Sequence, residues 1–263
     1  MLVNTILIHY PAELCDAMFE TFSSMAAEDA RFLLAYGGPH AEFAKIQYPD
    51  KIFFDDLHLR GQASPQNSWP WLKAASEWTR SHAAEATAVH FTECDHLVFR
   101  SDYWRRMEAL LLSSGKDFLG KDCFCCSNTN FHFFLEYRDD PTLLALLGSI
   151  SKRDDPTQLW TALGNGMLFR REALEALVAA TDSIPCYTEI LIPSVLFHTG
   201  RTLGSIDEIS EQFDHVRFRP NFSSAEVLSL MREGTSCCHP FKDRERLPEL
   251  LDKILERHRV QPS

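Results

Sequence analysis

Two carboxylates one residue apart follow an apolar stretch with strand character, Ala88–Thr92. They belong to the turn sequence Glu93-Cys94-Asp95. Hard cations such as Mg²⁺ and Mn²⁺ prefer oxygen ligands and usually take one or two carboxylates together with substrate phosphates. A strand that runs into such a turn therefore favours a site that presents a divalent cation to a diphosphate. The alternative is that two acids simply close a strand at the surface, because motifs this short often arise by chance.

Alternating strand and helix patterns surround these acids. Short apolar and β-branched runs predict strands, and segments with apolar residues at helical spacing predict helices. The predicted strands are Thr5–Tyr10, Arg31–Tyr36, Lys51–Phe54 and Thr87–Thr92. The predicted helices are Ala12–Ala27, Pro70–Ala84 and Asp102–Ser113. This order predicts an α/β fold with a mostly parallel central sheet and helices on both faces.

Residues able to bind a ligand lie where these predicted strands end. Tyr10, Asp55, Asp56 and the Glu93/Asp95 pair all occupy such positions. In open α/β sheets, ligands bind outside the carboxyl ends of the strands. The shared position supports a binding site more strongly than any one of these short motifs.

The second half of the chain is less regular. We expect one strand at Asp117–Cys126, a strand or pocket wall at Asn128–Phe134, and a short helix within Asp139–Thr161. Further on, the predicted elements are the helices Arg171–Ala180, Thr188–Thr199 and Leu247–Arg259 and the strand Leu203–Ile206. No repeat or linker is evident, so we expect one domain over residues 1–263.

Composition restricts the classes of function. The 263 residues are 45% hydrophobic and 24% charged, which is ordinary for a globular protein. A net charge of −11 and the lack of a basic run argue against nucleic-acid binding, which needs clustered lysines and arginines. The first residues resemble no signal peptide, and no apolar run approaches the roughly 20 residues of a membrane span. We therefore expect a cytoplasmic protein without a membrane span.

The eight cysteines leave one alternative open. Without a secretion signal, reduced thiols are more common than disulfides in a chain of this length. Cys123, Cys125 and Cys126, together with Cys237-Cys238-His239, could instead hold structural zinc.

Four segments, in order, resemble those of GT-A-type glycosyltransferases. They are Glu93-Cys94-Asp95 at the position of the D-x-D metal motif, Gly164–Glu172 as the glycine-rich strand before a helix, Thr188-Glu189 at the acidic position, and His239–Lys242 as the late histidine segment. Glu93 departs from the usual first aspartate. The resemblance implies a Rossmann-like three-layer sandwich with a mostly parallel sheet and a smaller acceptor-side region. It also implies a nucleotide-sugar-binding half, 1–126, and an acceptor-binding half, 127–263.

The resemblance implies a bound Mn²⁺ or Mg²⁺ ion. Asp95 would be a direct ligand, and Glu93 would bind the ion through water or hydrogen-bond the ribose. His239 would be the third protein ligand, and an imidazole suits Mn²⁺ better than Mg²⁺. Lys242 would meet the diphosphate as a point charge. The alternatives are a surface turn at His239 and a solvated lysine.

The resemblance also places the nucleotide near the end of the first strand. His9 and Tyr10 would lie beside the base and ribose, with Tyr10 stacking on a pyrimidine. Asp55 or Asp56 would accept hydrogen bonds from the base or ribose. Asn67, before a predicted helix, would lie near the diphosphate or act only as a helix cap.

An inverting transfer further needs a general base for the acceptor hydroxyl. Glu189 is the candidate, although an acid in the first turn of a helix also has a structural use. Weaker candidates for the base are Glu136 and Asp207, and an acceptor pocket could be lined by Phe131, His132, Phe133 and Trp160.

The leading hypothesis is a metal-dependent glycosyltransferase that uses a nucleotide-diphosphate sugar, with UDP favoured, and a glycan or other hydroxyl acceptor. Two alternatives remain at this point. One is a nucleotidyltransferase on a related fold, although the first strand runs into His9-Tyr10-Pro11 without a glycine-rich basic loop. The other is a non-catalytic or zinc-organised binding module.

Overall fold

A seven-stranded sheet forms the centre of the computed structural model, which describes residues 1–26, 28–54, 69–180 and 186–260. The strands are β1 (Leu2–Ile8), β2 (Ala30–Tyr36), β3 (Lys51–Phe53), β4 (Ala88–Glu93), β5 (Leu97–Val98), β6 (Phe118–Gly120), β7 (Phe124–Cys125), β8 (Trp160–Thr161), β9 (Met167–Arg170), β10 (Leu203–Ser205) and β11 (Cys237–Cys238). The large sheet has the order β10-β6-β9-β4-β1-β2-β3. Only β9 runs antiparallel to its neighbours, β4 and β6. The predicted α/β class with a mostly parallel central sheet is confirmed.

Helices cover both faces of this sheet. They are α1 (Ala12–Ala26), α2 (His40–Phe43), α3 (Trp69–His82), α4 (Tyr103–Ser114), α5 (His132–Tyr137), α6 (Pro141–Ile150), α7 (Arg171–Ala180), α8 (Thr188–His198), α9 (Ser224–Glu233) and α10 (Leu247–Val260). Because side chains alternate along a strand, Leu2 and Ile6 of β1 enter the apolar cluster that contains α1, α4 and α10. Val3 enters the cluster on the opposite face, with α3, α7 and α8. Three layers result, and both faces of the parallel strands are buried.

The C-terminal helix α10 belongs to this core. Its apolar stripe, Leu247, Leu250, Leu251 and Ile254, is buried, and the helix packs against α1. None of the helices in the described part of the chain is long and apolar enough to cross a membrane.

Two local expectations are wrong, and for a third segment one of two alternatives is confirmed. The first strand ends at Ile8, so His9 and Tyr10 lie beyond it. The segment 117–126 forms two short strands, β6 and β7, separated by a turn in which Asp122 has a positive φ of 50°. For the aromatic run 128–134, which leads into helix α5, a strand is wrong and a pocket wall is confirmed. The strand pattern there came from the aromatic residues themselves, which are common in strands but in this case line a pocket.

Candidate active site

A short antiparallel ladder brings two distant parts of the chain together at the carboxyl end of β4. After Glu93, the chain turns and continues as β5, which pairs with β11. His239 follows β11 directly, and the amide of Phe241 donates to the carbonyl of Asp95 at 2.9 Å. The late histidine segment is thereby fixed beside the carboxylate turn.

The side chains of Glu93, Asp95 and His239 converge at this point. Nε2 of His239 lies 3.2 Å from Oε2 of Glu93 and 3.1 Å from Oδ1 of Asp95. One ligand atom from each residue lies within 4.8 Å of the others. Nδ1 of His239 donates to the carbonyl of Arg217 at 3.0 Å, which fixes the ring and directs Nε2 towards the two carboxylates.

Charge and hydrogen bonding at this cluster fit a cation. Burial lowers the pKa of His239, but the Asp95 and Glu93 carboxylates outweigh burial and raise it to about 9. With this raised pKa, His239 is protonated at neutral pH and places a positive charge beside the two carboxylates. Oδ1 of Asp95 is buried, and Nε2 of His239 lies 3.1 Å from it. A divalent ion that replaced the imidazolium proton would satisfy this buried carboxylate oxygen. Two carboxylates and an imidazole form a donor set that suits Mn²⁺.

Asn165 holds the carboxylate turn in place, a role that sequence analysis missed. Its Oδ1 accepts from the amide of Glu93 at 2.8 Å, and its Nδ2 donates to Nδ1 of His96 at 2.8 Å. Nε2 of His96 then hydrogen-bonds the hydroxyl of Tyr103 at 3.1 Å.

Gly166 has φ +81°, and an added Cβ would lie 2.4 Å from the ring of Phe213. The Gly-Asn-Gly sequence was a usable signal for this close approach.

A cavity of about 260 Å³ opens beside Glu93 and Asp95 and contains two cations, Lys242 and Arg244. Nζ of Lys242 lies 3.9 Å from Oδ2 of Asp95. Nη2 of Arg244 donates to Nε2 of His9 at 2.6 Å. Burial, and next the charge of Arg244, lower the pKa of His9, so this ring is neutral and accepts. The cavity therefore joins a carboxylate-imidazole cluster to two positive charges.

Tyr10 also lines this cavity, but its ring is only 2% exposed. The guanidinium of Arg244 lies 4.6 Å from the ring centroid and covers one face. Arg244 was not among the residues predicted for the site. A base that stacks on that face of Tyr10 would have to displace the guanidinium.

Glu189 lies in the first turn of α8, close to Gly164. A Cβ added at Gly164 would approach Oε1 of Glu189 to 2.9 Å, so glycine leaves room for the carboxyl group. Oε2 is buried and has no hydrogen-bond partner among the described residues. Burial, with a smaller contribution from the charge of Glu93, raises the pKa of Glu189 to about 7. Glu189 and Glu93 both line a narrow cavity of about 20 Å³.

The remaining predicted residues differ in where they lie. Asp55, Asp56 and Asn67 are outside the described residues. Glu136 is exposed on α5. Asp207 accepts from the hydroxyl of Ser205 at 3.0 Å and from the amide of Asp122, which gives it a structural use.

Among the aromatic candidates, Phe131, His132 and Phe133 line a second cavity, which Glu189 also lines. Trp160 is not among its lining residues and packs against Phe197, with ring centroids 5.2 Å apart.

The cysteines do not form a metal site. All eight lie in the described residues and are free thiols. In the described ranges, the one group of three or more potential ligands is Glu93, Asp95 and His239, without any cysteine. His239 thus lies with carboxylates, and zinc-organised binding has no support.

The chain is similar over its whole length to several solved glycosyltransferase structures. One is the galactosyltransferase LgtC, solved with donor and acceptor sugar analogues. The alignment covers 99% of this chain and 99% of LgtC, with 13% identity and a TM-score of 0.43. All of the chain aligns with 52% of the bifunctional glycosyltransferase WbbM, with 10% identity and a TM-score of 0.45. It also aligns fully with 73% of a structure of S. aureus TarS 1–349, with 10% identity and a TM-score of 0.40. No protein-family model and no curated protein matches the chain.

Proposed function

We propose that this chain is a metal-dependent glycosyltransferase that moves a sugar from a nucleotide diphosphate to a hydroxyl-bearing acceptor, with UDP as the favoured nucleotide. The observation that carries the proposal is the convergence of Glu93, Asp95 and His239 at the carboxyl end of β4. The cluster opens into a cavity that also contains Lys242 and Arg244. Ligands of open α/β sheets bind at this edge.

In this proposal Asp95, His239 and Glu93 hold Mn²⁺ or Mg²⁺, with Mn²⁺ favoured by the imidazole. When bound, the ion would act as a Lewis acid on the diphosphate. The protein's contribution is a fixed donor set, because the carbonyl of Arg217 orients His239 and Asn165 holds the amide of Glu93.

Lys242 and Arg244 supply the charge that a diphosphate leaving group needs. The Lys242 side chain is 62% exposed, so its ammonium group can move to a phosphate without a large desolvation cost. Arg244 already donates to His9 and covers Tyr10, which places its guanidinium at the wall of the cavity. A guanidinium can bind two phosphate oxygens at once.

Glu189 is the proposed general base. During transfer the acceptor oxygen bonds to the anomeric carbon, the bond from that carbon to the diphosphate breaks, and the hydroxyl proton passes to Glu189. A base works best when its pKa is close to the ambient pH, and burial raises the pKa of Glu189 to about 7. Oε2 has no competing donor among the described residues, so it is available to accept this proton.

Calorimetric titration of UDP in the presence of Mn²⁺ tests the proposal. We expect UDP to bind with Mn²⁺ present and to bind at least about tenfold more weakly in the variant Asp95→Asn, because a metal ligand is lost. Glu20→Gln, at an exposed acid of α1 that does not line the cavity, should bind like the unmodified protein. GDP and CDP in the same assay measure the nucleotide preference. Equal UDP affinity with and without Mn²⁺, or in both variants, would contradict the metal site.

A further inference from the structure

A second cavity, of about 190 Å³, is lined by Glu189 but by none of Glu93, Asp95 and His239. Four phenylalanines line this aromatic cavity, namely Phe124, Phe131, Phe133 and Phe218. Glu189 lines both this cavity and the narrow cavity beside Glu93. The proposed function gives a role to Glu189 but none to this aromatic cavity.

Ring-to-ring contacts form one wall of this aromatic cavity. The centroid of Phe131 lies 5.7 Å from that of Phe124 and 5.4 Å from that of Phe133. Phe133 in turn packs on Tyr187, at 4.9 Å, just before α8. Edge-to-face and tilted pairs at these distances are favourable. The wall is therefore already assembled in the protein without a ligand.

Large aromatic side chains at the mouth of the cavity remain in contact with solvent. Phe218 is 65% exposed and Phe124 is 40% exposed. Exposed apolar side chains that are grouped around a cavity are typical of ligand-binding surfaces, whereas single ones are ordinary. Burying these two rings against a ligand would release the water that now covers them.

The size of the two cavities limits what can occupy them. Small-molecule sites are usually about 300–1,000 Å³, so a cavity of about 190 Å³ takes a group the size of one ring. The narrow cavity between Glu93 and Glu189, of about 20 Å³, has room for one water-sized group such as a hydroxyl. Six of the ten described lining residues of the aromatic cavity are apolar, and the other four are Asp122, His132, Thr161 and Glu189. This mainly apolar lining fits an apolar ring better than a glycan, whose hydroxyl groups would each need a hydrogen-bond partner.

We propose that the aromatic cavity binds a neutral apolar ring of the acceptor and so directs the attached reacting hydroxyl to Glu189. The role of Glu189 as the base for this hydroxyl rests on the proposed function, whereas the binding of the ring does not. It identifies the acceptor as a hydroxyl compound with an apolar ring next to the reacting group. Without such a ring, the acceptor would leave Phe124 and Phe218 exposed.

Fluorine NMR with 4-fluorobenzyl alcohol tests the ring site without nucleotide or metal. We expect binding in the full-length protein, and about tenfold weaker binding in the double variant Phe124→Ser/Phe218→Ser. Both rings are partly exposed, so their removal should leave the fold intact. The control variant Leu135→Ser/Ile209→Ser removes apolar residues that are each 47% exposed but do not line the cavity, and it should bind normally. Equal binding in the two double variants would overturn the proposal.

Probes of different polarity identify the occupant. Methyl glucoside should not displace the fluorinated alcohol, and 4-fluorobenzyltrimethylammonium should bind more weakly because the proposed occupant is neutral. Tighter binding of the ammonium probe would assign the cavity to a cation, and displacement by methyl glucoside would assign it to a glycan. Either result would overturn the proposal.

Paramagnetic broadening connects the two sites. Mn²⁺ should broaden the fluorine signal of the bound alcohol, Mg²⁺ should not, and Asp95→Asn should remove the broadening by Mn²⁺. Probe binding without any broadening, in protein that binds Mn²⁺, would overturn the orientation towards Glu189. Protein that binds the probe but not Mn²⁺ would contradict the proposed function while leaving the ring site standing.

Discussion

At the scale of single residues, the site contains two carboxyl groups that each have a buried oxygen, Asp95 and Glu189. Oδ1 of Asp95 lies 3.1 Å from Nε2 of His239, whereas Oε2 of Glu189 has no hydrogen-bond partner among the described residues. Their surroundings differ, because Asp95 lies beside His239 and Lys242 whereas burial isolates Glu189. The first environment places positive charge beside a carboxylate, and the second makes a carboxyl group that exchanges its proton near neutral pH.

The raised pKa of Glu189 predicts a measurable effect on stability. Because the pKa is about 7 in the folded protein and 4.5 in the reference state, the folded state binds the proton more tightly. This contribution to stability is complete below about pH 4.5 and is lost as the pH rises to about 7. Glu189→Gln should therefore be more stable than the unmodified protein at pH 8, by at most about 3 kcal/mol, while losing transferase activity.

Urea denaturation at pH 5 and pH 8 measures this effect. The difference in unfolding free energy between the two pH values should be smaller in Glu189→Gln than in the unmodified protein. Glu20→Gln, at an exposed glutamate of α1, should keep the normal pH dependence. If Glu189→Gln shows the same pH dependence as this control, Glu189 does not have a raised pKa.

At the scale of elements, local features were predictable and long-range pairings were not. The pattern of β4 and its two acids lies in one short segment, so the sequence displays it directly. The β5–β11 ladder joins two strands of two residues each, which carry too few residues for a periodic pattern. Helix α9 was missed although Ser223 and Glu226 form a capping box, a signal that the sequence contains. Arg244 was missed because its partners, His9 and Tyr10, lie at the opposite end of the chain.

Asn165 connects these elements, and its removal should disturb the carboxylate turn. Asn165→Ala leaves the amide of Glu93 and Nδ1 of His96 without their partners, and His96 is buried. Buried polar groups that lose a partner cost about 1–3 kcal/mol each. We expect lower stability in urea and weaker Mn²⁺ binding. Asn221→Ala, at an exposed asparagine, is the control, and unchanged Mn²⁺ affinity in Asn165→Ala would show that the turn holds its shape without this side chain.

At the scale of the whole molecule, the two proposed halves of the chain interpenetrate. The segment 1–126 supplies Glu93 and Asp95, whereas 127–263 supplies His239, Lys242 and Glu189. Strand β9, from the second segment, lies between β4 and β6 of the first. The division into a donor half and an acceptor half therefore describes where ligands are proposed to bind, and neither half contains a complete sheet or a complete metal site.

This arrangement predicts that the fragment 1–126 does not fold by itself. Without β9, strands β4 and β6 have no connecting partner, and without α10 the buried face of α1 is exposed. We expect the isolated fragment to unfold without a cooperative transition, as followed by circular dichroism, and to bind no Mn²⁺. Mixing it with the fragment 127–263 should restore a cooperative transition and Mn²⁺ binding, because both β9 and His239 return with the second fragment. Cooperative unfolding of 1–126 alone would mean that the first four strands are stable without β9, and Mn²⁺ binding by that fragment would remove His239 from the metal site.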